Sequence, residues 1–162
     1  MHVRLATLDD AEAIRDIYNP EVLTSTVTFD LVPRSLADQR EWLRARSGAH
    51  AVVVAEDDDR HVLGFGSLSP YRDRPAYSTS VEDSVYVHRD HQGAGVGRAL
   101  LGELVELSGA HGFHTVMARI VGGHDASIAL HASLGFETVG TEREIGRKFG
   151  KWLDVVVMQR ML

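Results

Sequence analysis

The chain has no cysteine among its 162 residues. That absence excludes disulfide bonds, thiolate metal ligands and a cysteine nucleophile together. It also lacks an apolar run of the length that a signal peptide or a membrane-spanning helix needs, and Met1 leads directly into patterned sequence. We therefore expect a cytoplasmic protein with no membrane partner.

Positive charge is also scarce. Lys and Arg together number 17 against 23 Asp and Glu, which gives a net charge of -6 with neutral histidines. Such a chain has little nonspecific affinity for nucleic acids or anionic membranes, although a local basic patch can still bind a small anion. The nine histidines show no ligand spacing such as His-x-x-x-His, so we expect no metal site.

The remaining composition is that of one globular domain covering residues 1–162. Its 44% of hydrophobic residues can fill one core. Alternating and helical patterns predict an α/β protein, with helix capping expected at Ser35 and a helix end at Pro20. They also predict a strand over 115–121, a short helix over about 125–133 and a brief strand at 138–139. The polar segment 21–29 is predicted to be irregular, as a ligand-binding loop or as an ordinary surface crossing.

The most informative stretch runs from a predicted strand, 77–87, into a glycine-rich loop and then a helix. Gly93, Gly95 and Gly97 remove side chains where the backbone enters that helix. Free N–H groups there can converge on one anion, helped by the helix dipole. This pattern predicts a pyrophosphate cradle, and a flexible turn with an N-cap is the plain alternative.

Two well-known phosphate loops do not match this stretch. No Lys-Ser or Lys-Thr follows the last glycine, and no Gly-x-Gly-x-x-Gly occurs with an acidic residue at the ribose distance. The spacing Gln92-x-x-Gly95-x-Gly97 instead resembles the acetyl-CoA loop of the GNAT superfamily of N-acetyltransferases.

Four further motifs resemble the phosphinothricin and methionine sulfoximine acetyltransferase branch of that superfamily. In chain order they are 17–19 (Ile-Tyr-Asn), 81–87 (Val-Glu-Asp-Ser-Val-Tyr-Val), 127–131 (Ser-Ile-Ala-Leu-His) with 135–136 (Gly-Phe), and 148–154 (Lys-Phe-Gly-Lys-Trp-Leu-Asp). Their order and spacing cover essentially the whole chain, and the chain is identified as a member of this branch.

The resemblance implies a GNAT fold. This is a mixed, twisted sheet of about six to seven strands, splayed between the fourth and fifth strands, with helices on both faces. It also implies acetyl-CoA as co-substrate, with its pantetheine arm in the gap and its pyrophosphate on the loop. The residues implied in binding it are Val85, Tyr86, Val87, Gln92, Gly93, Ala94, Gly95, Val96, Gly97, Arg98, His124 and Ser127. Relatives usually have Asn at position 124, and His124 can still donate a hydrogen bond there.

Glu82 is the candidate general base. Strand periodicity places it on a small, polar face with Ser80 and Ser84. Attack by an amine requires a neutral nitrogen, and a positioned base contributes roughly 10²–10⁴-fold. The alternative is a strand carboxylate paired with an arginine.

His131 matches a histidine assigned to catalysis in the branch, although a lone histidine on a short helix is also typical of a packed core. We expect Glu82 and His131 to share the proton transfers, in an order that the sequence leaves open.

Arginine side chains suit capture of a carboxylate or phosphinate, so Arg72 and Arg74 are candidate acceptor ligands, with plain surface charge as the alternative. Phe29 and Lys148 complete the predicted acceptor site, and the resemblance implies a homodimer. The predicted acceptor is the α-amino group of a small amino acid such as phosphinothricin, methionine sulfoximine or methionine sulfone. Another amine acceptor (a polyamine, an antibiotic or a peptide N-terminus) and a noncatalytic acyl-CoA sensor are the alternatives.

Overall fold

The computed structural model describes residues 1–162 and contains one seven-stranded mixed sheet. The strands are β1 His2–Leu5, β2 Val52–Glu56, β3 Val62–Pro70, β4 Ser80–Val87, β5 Thr115–Val121, β6 Glu137–Lys148 and β7 Lys151–Met161. They follow the spatial order β1-β2-β3-β4-β5-β7-β6, and only β4 and β5 run parallel. The expected mixed sheet is thus confirmed, with seven strands.

Four α-helices cover both faces of this sheet. They are α1 Ala11–Thr24, α2 Leu36–Arg44, α3 Val96–Ala110 and α4 Asp125–Ser133. Leucines of α3 pack on one face against alternate side chains of β2, β4 and β5, with α4 beside them. Apolar side chains of α1 and α2 pack on the other face around Phe65 and Val54. None of the helices combines the length and the apolar character needed to cross a membrane.

Strand periodicity explains the two faces of β4. Val81 is fully buried in the α3 face, whereas the ring of Tyr86 stacks on Phe65 on the α1 face. Side chains alternate along a strand, so Glu82 shares the face of Tyr86 and Asp83 shares the face of Val81. Neighbouring residues of the motif therefore face different helices.

The predicted helix end at Pro20 is wrong, because α1 continues through Pro20 to Thr24. The missing proline N–H costs the helix one hydrogen bond. The last turn is held from outside instead, since Arg89 donates to the Pro20 carbonyl and to the Thr24 hydroxyl, and Val22 is buried. The predicted irregular segment begins only at Ser25, after the helix.

Two strand boundaries also differ from prediction. The segment Pro75–Tyr77 forms a short 3-10 turn, so β4 starts at Ser80 rather than at residue 77. A brief strand was expected at 138–139, but β6 has 12 residues and contains register shifts near Thr138 and Glu142. Most of its side chains are exposed, and the shifts disrupt the alternation from which strands are predicted.

Candidate active site in the gap between β4 and β5

The parallel strands β4 and β5 are paired over only three residue pairs, from Ser80↔Thr115 to Glu82↔Met117. Beyond Glu82 the two strands separate. A cleft of about 620 Å³ lies between them, bounded by the end of β4, by β5 and by the first turns of α4. The expected splay is therefore present, and it begins immediately after the candidate base.

The glycine-rich loop closes one end of this gap. Gly93 and Gly95 have φ angles of 78° and 84°, which glycine adopts without strain, and Gly95 is the residue that precedes α3. None of the backbone N–H groups from residue 93 to residue 98 donates a hydrogen bond within the protein. A helix N-terminus with several free donors and a positive dipole end suits a pyrophosphate.

A second depression, of about 350 Å³, connects the loop with the gap. It is lined by ten of the residues predicted to bind the cofactor: Val85, Val87, Gln92, Gly93, Gly95, Val96, Gly97, Arg98, His124 and Ser127. Of the remaining two, Ala94 is exposed on the loop and the Tyr86 ring packs between Tyr18 and Phe65. Burial raises the pKa of Tyr86 to about 12, so its hydroxyl stays neutral.

Two arginines hold the loop in place. Arg89 forms an ion pair with Glu21 of α1 at 2.8 Å, and Arg98 donates to the Ser133 hydroxyl of α4 at 2.8 Å. The backbone donors of the loop are thus fixed from both faces of the sheet, and such preorganisation reduces the cost of binding.

Glu82 is half-buried on the α1 face. Burial raises the pKa of its carboxyl group, the neighbouring Asp83 and Glu142 act in the same direction, and Arg119 and Arg72 oppose them. A carboxylate with a raised pKa accepts a proton from an ammonium group more readily than an ordinary one.

Arg119 of β5 was not singled out from the sequence. It lines the cleft on the same face as Glu82, and it pairs with Glu142 of β6 at 2.5 Å across β7. Arg119 lies within a strand pattern of buried apolar residues and Glu142 within a poorly patterned one, so no local signal connects them. The structure contains no salt bridge between Glu82 and an arginine, because Arg119 pairs with Glu142 instead.

His131 is buried on the opposite face, at the end of α4. Its Nε2 lies 2.9 Å from Oδ1 of Asp83, and its Nδ1 donates to the Ser127 carbonyl at 2.8 Å. Burial acts to lower the pKa of His131, but the hydrogen bond and charge of Asp83 outweigh it and the pKa is raised. The structure thus brings His131 to Asp83, which the sequence analysis did not select, and not to Glu82.

His124 and Ser127 occupy the first turn of α4 at the mouth of the gap. Both line the cleft and the adjoining depression. The pKa of His124 is lowered, chiefly by burial, so its ring is neutral near pH 7. A neutral imidazole can donate one hydrogen bond, as the usual asparagine amide can.

The predicted acceptor residues are less closely grouped. Arg72 and Arg74 are exposed in the loop before β4, with Arg72 over the ring of Tyr71 at 5.0 Å. The Phe29 ring lies on Gly146 of β6, where an added Cβ would come within 2.3 Å of it. Lys148 is buried and donates to the Thr28 carbonyl at 2.8 Å, so its ammonium group holds the segment after α1.

Comparison with known proteins decides the family. The sequence profile of the acetyltransferase (GNAT) family matches residues 11–136. The chain belongs to the GNAT family. Among GNAT relatives, it is 39% identical to the phosphinothricin N-acetyltransferase of Streptomyces coelicolor, covering 100% of this chain and 96% of the relative. It is 40% identical to the L-methionine sulfoximine/L-methionine sulfone acetyltransferase of Pseudomonas paraeruginosa, covering 97% and 92%.

A solved GNAT structure shows the same architecture. The phosphinothricin acetyltransferase of Sinorhizobium meliloti, crystallised with acetyl-CoA, superposes with a TM-score of 0.95 at 40% identity, covering 99% of this chain and 88% of that one. The GNAT assignment therefore rests on sequence and on fold together.

Proposed function

We propose that this GNAT member is an acetyl-CoA-dependent N-acetyltransferase that acetylates the α-amino group of a small amino acid such as phosphinothricin, methionine sulfoximine or methionine sulfone. The observation that carries the proposal is the splayed β4–β5 gap, with a free-donor loop at one end and a half-buried carboxylate at the other. Full-length relatives with these printed activities support the choice of acceptor.

The residues of the gap fit acetyl-CoA. The free N–H groups from Gly93 to Arg98 suit its pyrophosphate, and the unpaired edge of β4 at Val85 and Val87 suits the amides of its pantetheine arm. His124 and Ser127 line the route between them. Bound acetyl-CoA supplies an acetyl thioester for transfer.

Glu82 performs the proton transfer in this proposal. It takes a proton from the acceptor's ammonium group, directly or through one water, which leaves a nitrogen lone pair for acyl transfer. Glu82 lies where the strands separate, on the face of α1 and of the segment after it, and this position supports an acceptor site on that face. Phe29, Arg72 and Arg74 are the proposed acceptor contacts. The charge of Arg72 acts on Glu82, and Lys148 supports the segment that carries Phe29.

We also propose that the chain is a homodimer. Six large apolar side chains stay exposed in the segment after α1 and near the β6–β7 turn: Phe29, Leu31, Val32, Ile145, Phe149 and Trp152. Clustered apolar exposure of this kind is typical of an interface. Sedimentation at several concentrations tests it, and a monomer throughout would contradict it.

Thiol release from acetyl-CoA, followed with a panel of amino acids, polyamines and peptides, tests the reaction. We expect release with methionine sulfone, methionine sulfoximine and phosphinothricin. Release with polyamines or peptides alone would refute the acceptor class. Binding of acetyl-CoA without release for any acceptor would instead identify a sensor.

A further inference from the structure

We propose that Asp83 is a positioning residue that acts through His131: the pair joins the two walls of the β4–β5 gap and leaves His131 without a ring nitrogen for proton transfer. We call this pair the Asp83–His131 clasp. The inference rests on the proposed function for its kinetic readout alone.

The position of the clasp in the fold is its first support. Backbone pairing between β4 and β5 ends at Glu82, and Asp83 is the next residue on β4. His131 belongs to α4, the helix that follows β5. The 2.9 Å contact between Asp83 and His131 therefore connects the two separating sides where the backbone no longer does.

The hydrogen bonds of the ring are the second support. A backbone carbonyl only accepts, so Nδ1 of His131 must carry the hydrogen that it donates to Ser127. Nε2 faces the Asp83 carboxylate at 2.9 Å. Burial acts to lower the pKa of His131, but the hydrogen bond and charge of Asp83 raise it, which favours an imidazolium that donates from both nitrogens and has no lone pair left. The base of the reaction is then Glu82 alone, on the other face of the sheet.

Because both side chains of the clasp are buried, replacing only one of them is costly. The side chains of Asp83 and His131 are 2% and 5% exposed, and Phe136 packs edge-on against the imidazole at 5.0 Å. The ionisable groups that face His131 are Asp83 from β4 and His124 from the start of α4. Removing one partner of such a pair leaves the other charge buried and unpaired, whereas replacing both avoids that penalty.

The second carboxylate oxygen of Asp83 supports a link to the ligand. Oδ2 is buried and has no hydrogen-bond partner, although Asp83 lines the cleft. Buried charged oxygens are normally satisfied, so Oδ2 can accept a hydrogen bond from a ligand group or from a water in the cleft. The clasp is thus a part of the cofactor-binding wall as well as a tie across it.

A double-mutant cycle tests the clasp: Asp83→Asn, His131→Gln and the double variant, measured against the exposed pair Asp57–His61 as control (Asp57→Asn, His61→Gln and their double). The first readout is the NMR titration of His131 in the free protein. We expect its pKa to fall in Asp83→Asn, because the charge that offsets burial is gone. An unchanged titration would overturn the proposal.

The second readout is the affinity for CoA by calorimetry, which needs no acceptor. We expect each single variant to bind CoA about tenfold more weakly, which corresponds to about 1.4 kcal/mol. The loss of affinity in the double variant should be smaller than the product of the two single losses. The control pair should leave CoA affinity unchanged. If the single losses of CoA affinity multiply in the double variant, or if no variant loses affinity, the clasp does not connect the two sides of the gap.

The third readout is the pH profile of kcat/KM. We expect its acid limb, set by Glu82, to persist in the variants of the clasp. Loss of that limb in His131→Gln, with retention in Glu82→Gln, would make His131 the base and overturn the assignment. If no amine is acetylated by the wild-type protein, the proposed function fails, while the titration and the CoA affinities still decide the clasp.

Discussion

Opposing effects set the pKa of the Glu82 carboxyl group. Burial and the carboxylates of Asp83 and Glu142 favour its neutral form, while Arg119 and Arg72 favour its charged form. The net effect is a pKa above the ordinary value of 4.5. The cluster thus raises the pKa of a strand carboxylate, which favours the proposed proton transfer from an amine.

Glu82→Gln should lower kcat/KM by about 10²–10⁴-fold, because the amide cannot accept a proton. In the wild-type protein, kcat/KM should rise with pH through the raised pKa of Glu82, since only the ionised form is a base. Steady-state kinetics from pH 4.5 upward measures both effects. Glu106→Gln, an exposed change on α3, is the matched control and should leave the profile intact.

The free energy of unfolding should depend on the protonation of His131. Its folded-state pKa lies above the unfolded value, so its contribution to the free energy of unfolding is complete below about pH 6.5 and is lost as pH rises through the folded pKa. Urea unfolding of the wild type and of His131→Gln between pH 6 and 9 measures the difference. The stability gap between the two proteins should narrow with rising pH, and a gap that widens would contradict the ion pair.

The loop before α3 uses backbone geometry rather than side chains. Gly95 has a φ of 84° directly before the helix, while Gly102 within α3 has open space where a Cβ would lie. One glycine is therefore required by conformation, and the other only lowers helix propensity.

Gly95→Ala should weaken acetyl-CoA binding by about tenfold, because a strain of roughly 1–2 kcal/mol in the left-handed conformation displaces the free N–H groups. The matched variant Gly102→Ala should leave binding unchanged and add about 0.5–1 kcal/mol to the free energy of unfolding. Calorimetry and urea unfolding of both variants give the comparison. Equal affinities would show that the loop conformation does not matter for the ligand.

Arg4 of β1 connects three elements at the edge of the sheet. It donates to Asp10 before α1 and to Glu56 of β2, both of which are buried. Burial acts to raise the pKa of Asp10, but hydrogen bonds from Arg4 and Thr7 outweigh it and the pKa is lowered. The single guanidinium thus pairs with two buried carboxylates.

Arg4→Met should lower the free energy of unfolding by about 3 kcal/mol at pH 7, since it leaves both carboxylates unpaired. Urea unfolding should show a smaller loss near pH 4, because without Arg4 the burial of Asp10 raises its pKa and the variant takes up a proton there. Arg15→Met, on the exposed side of α1, is the control and should change stability by less than about 1 kcal/mol. A similar loss in both variants would argue for lost packing instead of lost pairing.

Across the whole molecule, the sequence pattern was sufficient to predict the local and strongly periodic features. The capping box at Ser35, strand β5 and helix α4 lie where periodicity and capping predict them. The loop glycines were identifiable because backbone conformation demands them. Pro20 was misleading, since contacts from Arg89, 69 residues later in the chain, override its local preference.

The side-chain pairs at the gap could not be predicted from the sequence for a related reason. Asp83 and His131 are 48 residues apart, and Arg119 and Glu142 meet only across β7. Strand alternation correctly separates Glu82 from Asp83, but it cannot say which helix covers each face. That assignment depends on the three-dimensional path of the chain, so it needed the structure.

The short parallel pairing of β4 with β5 also divides the sheet into two hydrogen-bonded blocks, β1–β4 and β5–β7–β6, joined by three residue pairs. Sub-global opening along this line separates the loop and β4 from α4, which with its N-cap residue supplies four of the 12 residues that line the depression beside the loop. A ligand bound by both blocks at 100 times its Kd suppresses that opening by about 2.7 kcal/mol. Amide hydrogen exchange in β5 should therefore slow by about a hundredfold when CoA is added, while exchange between β1 and β2 changes less.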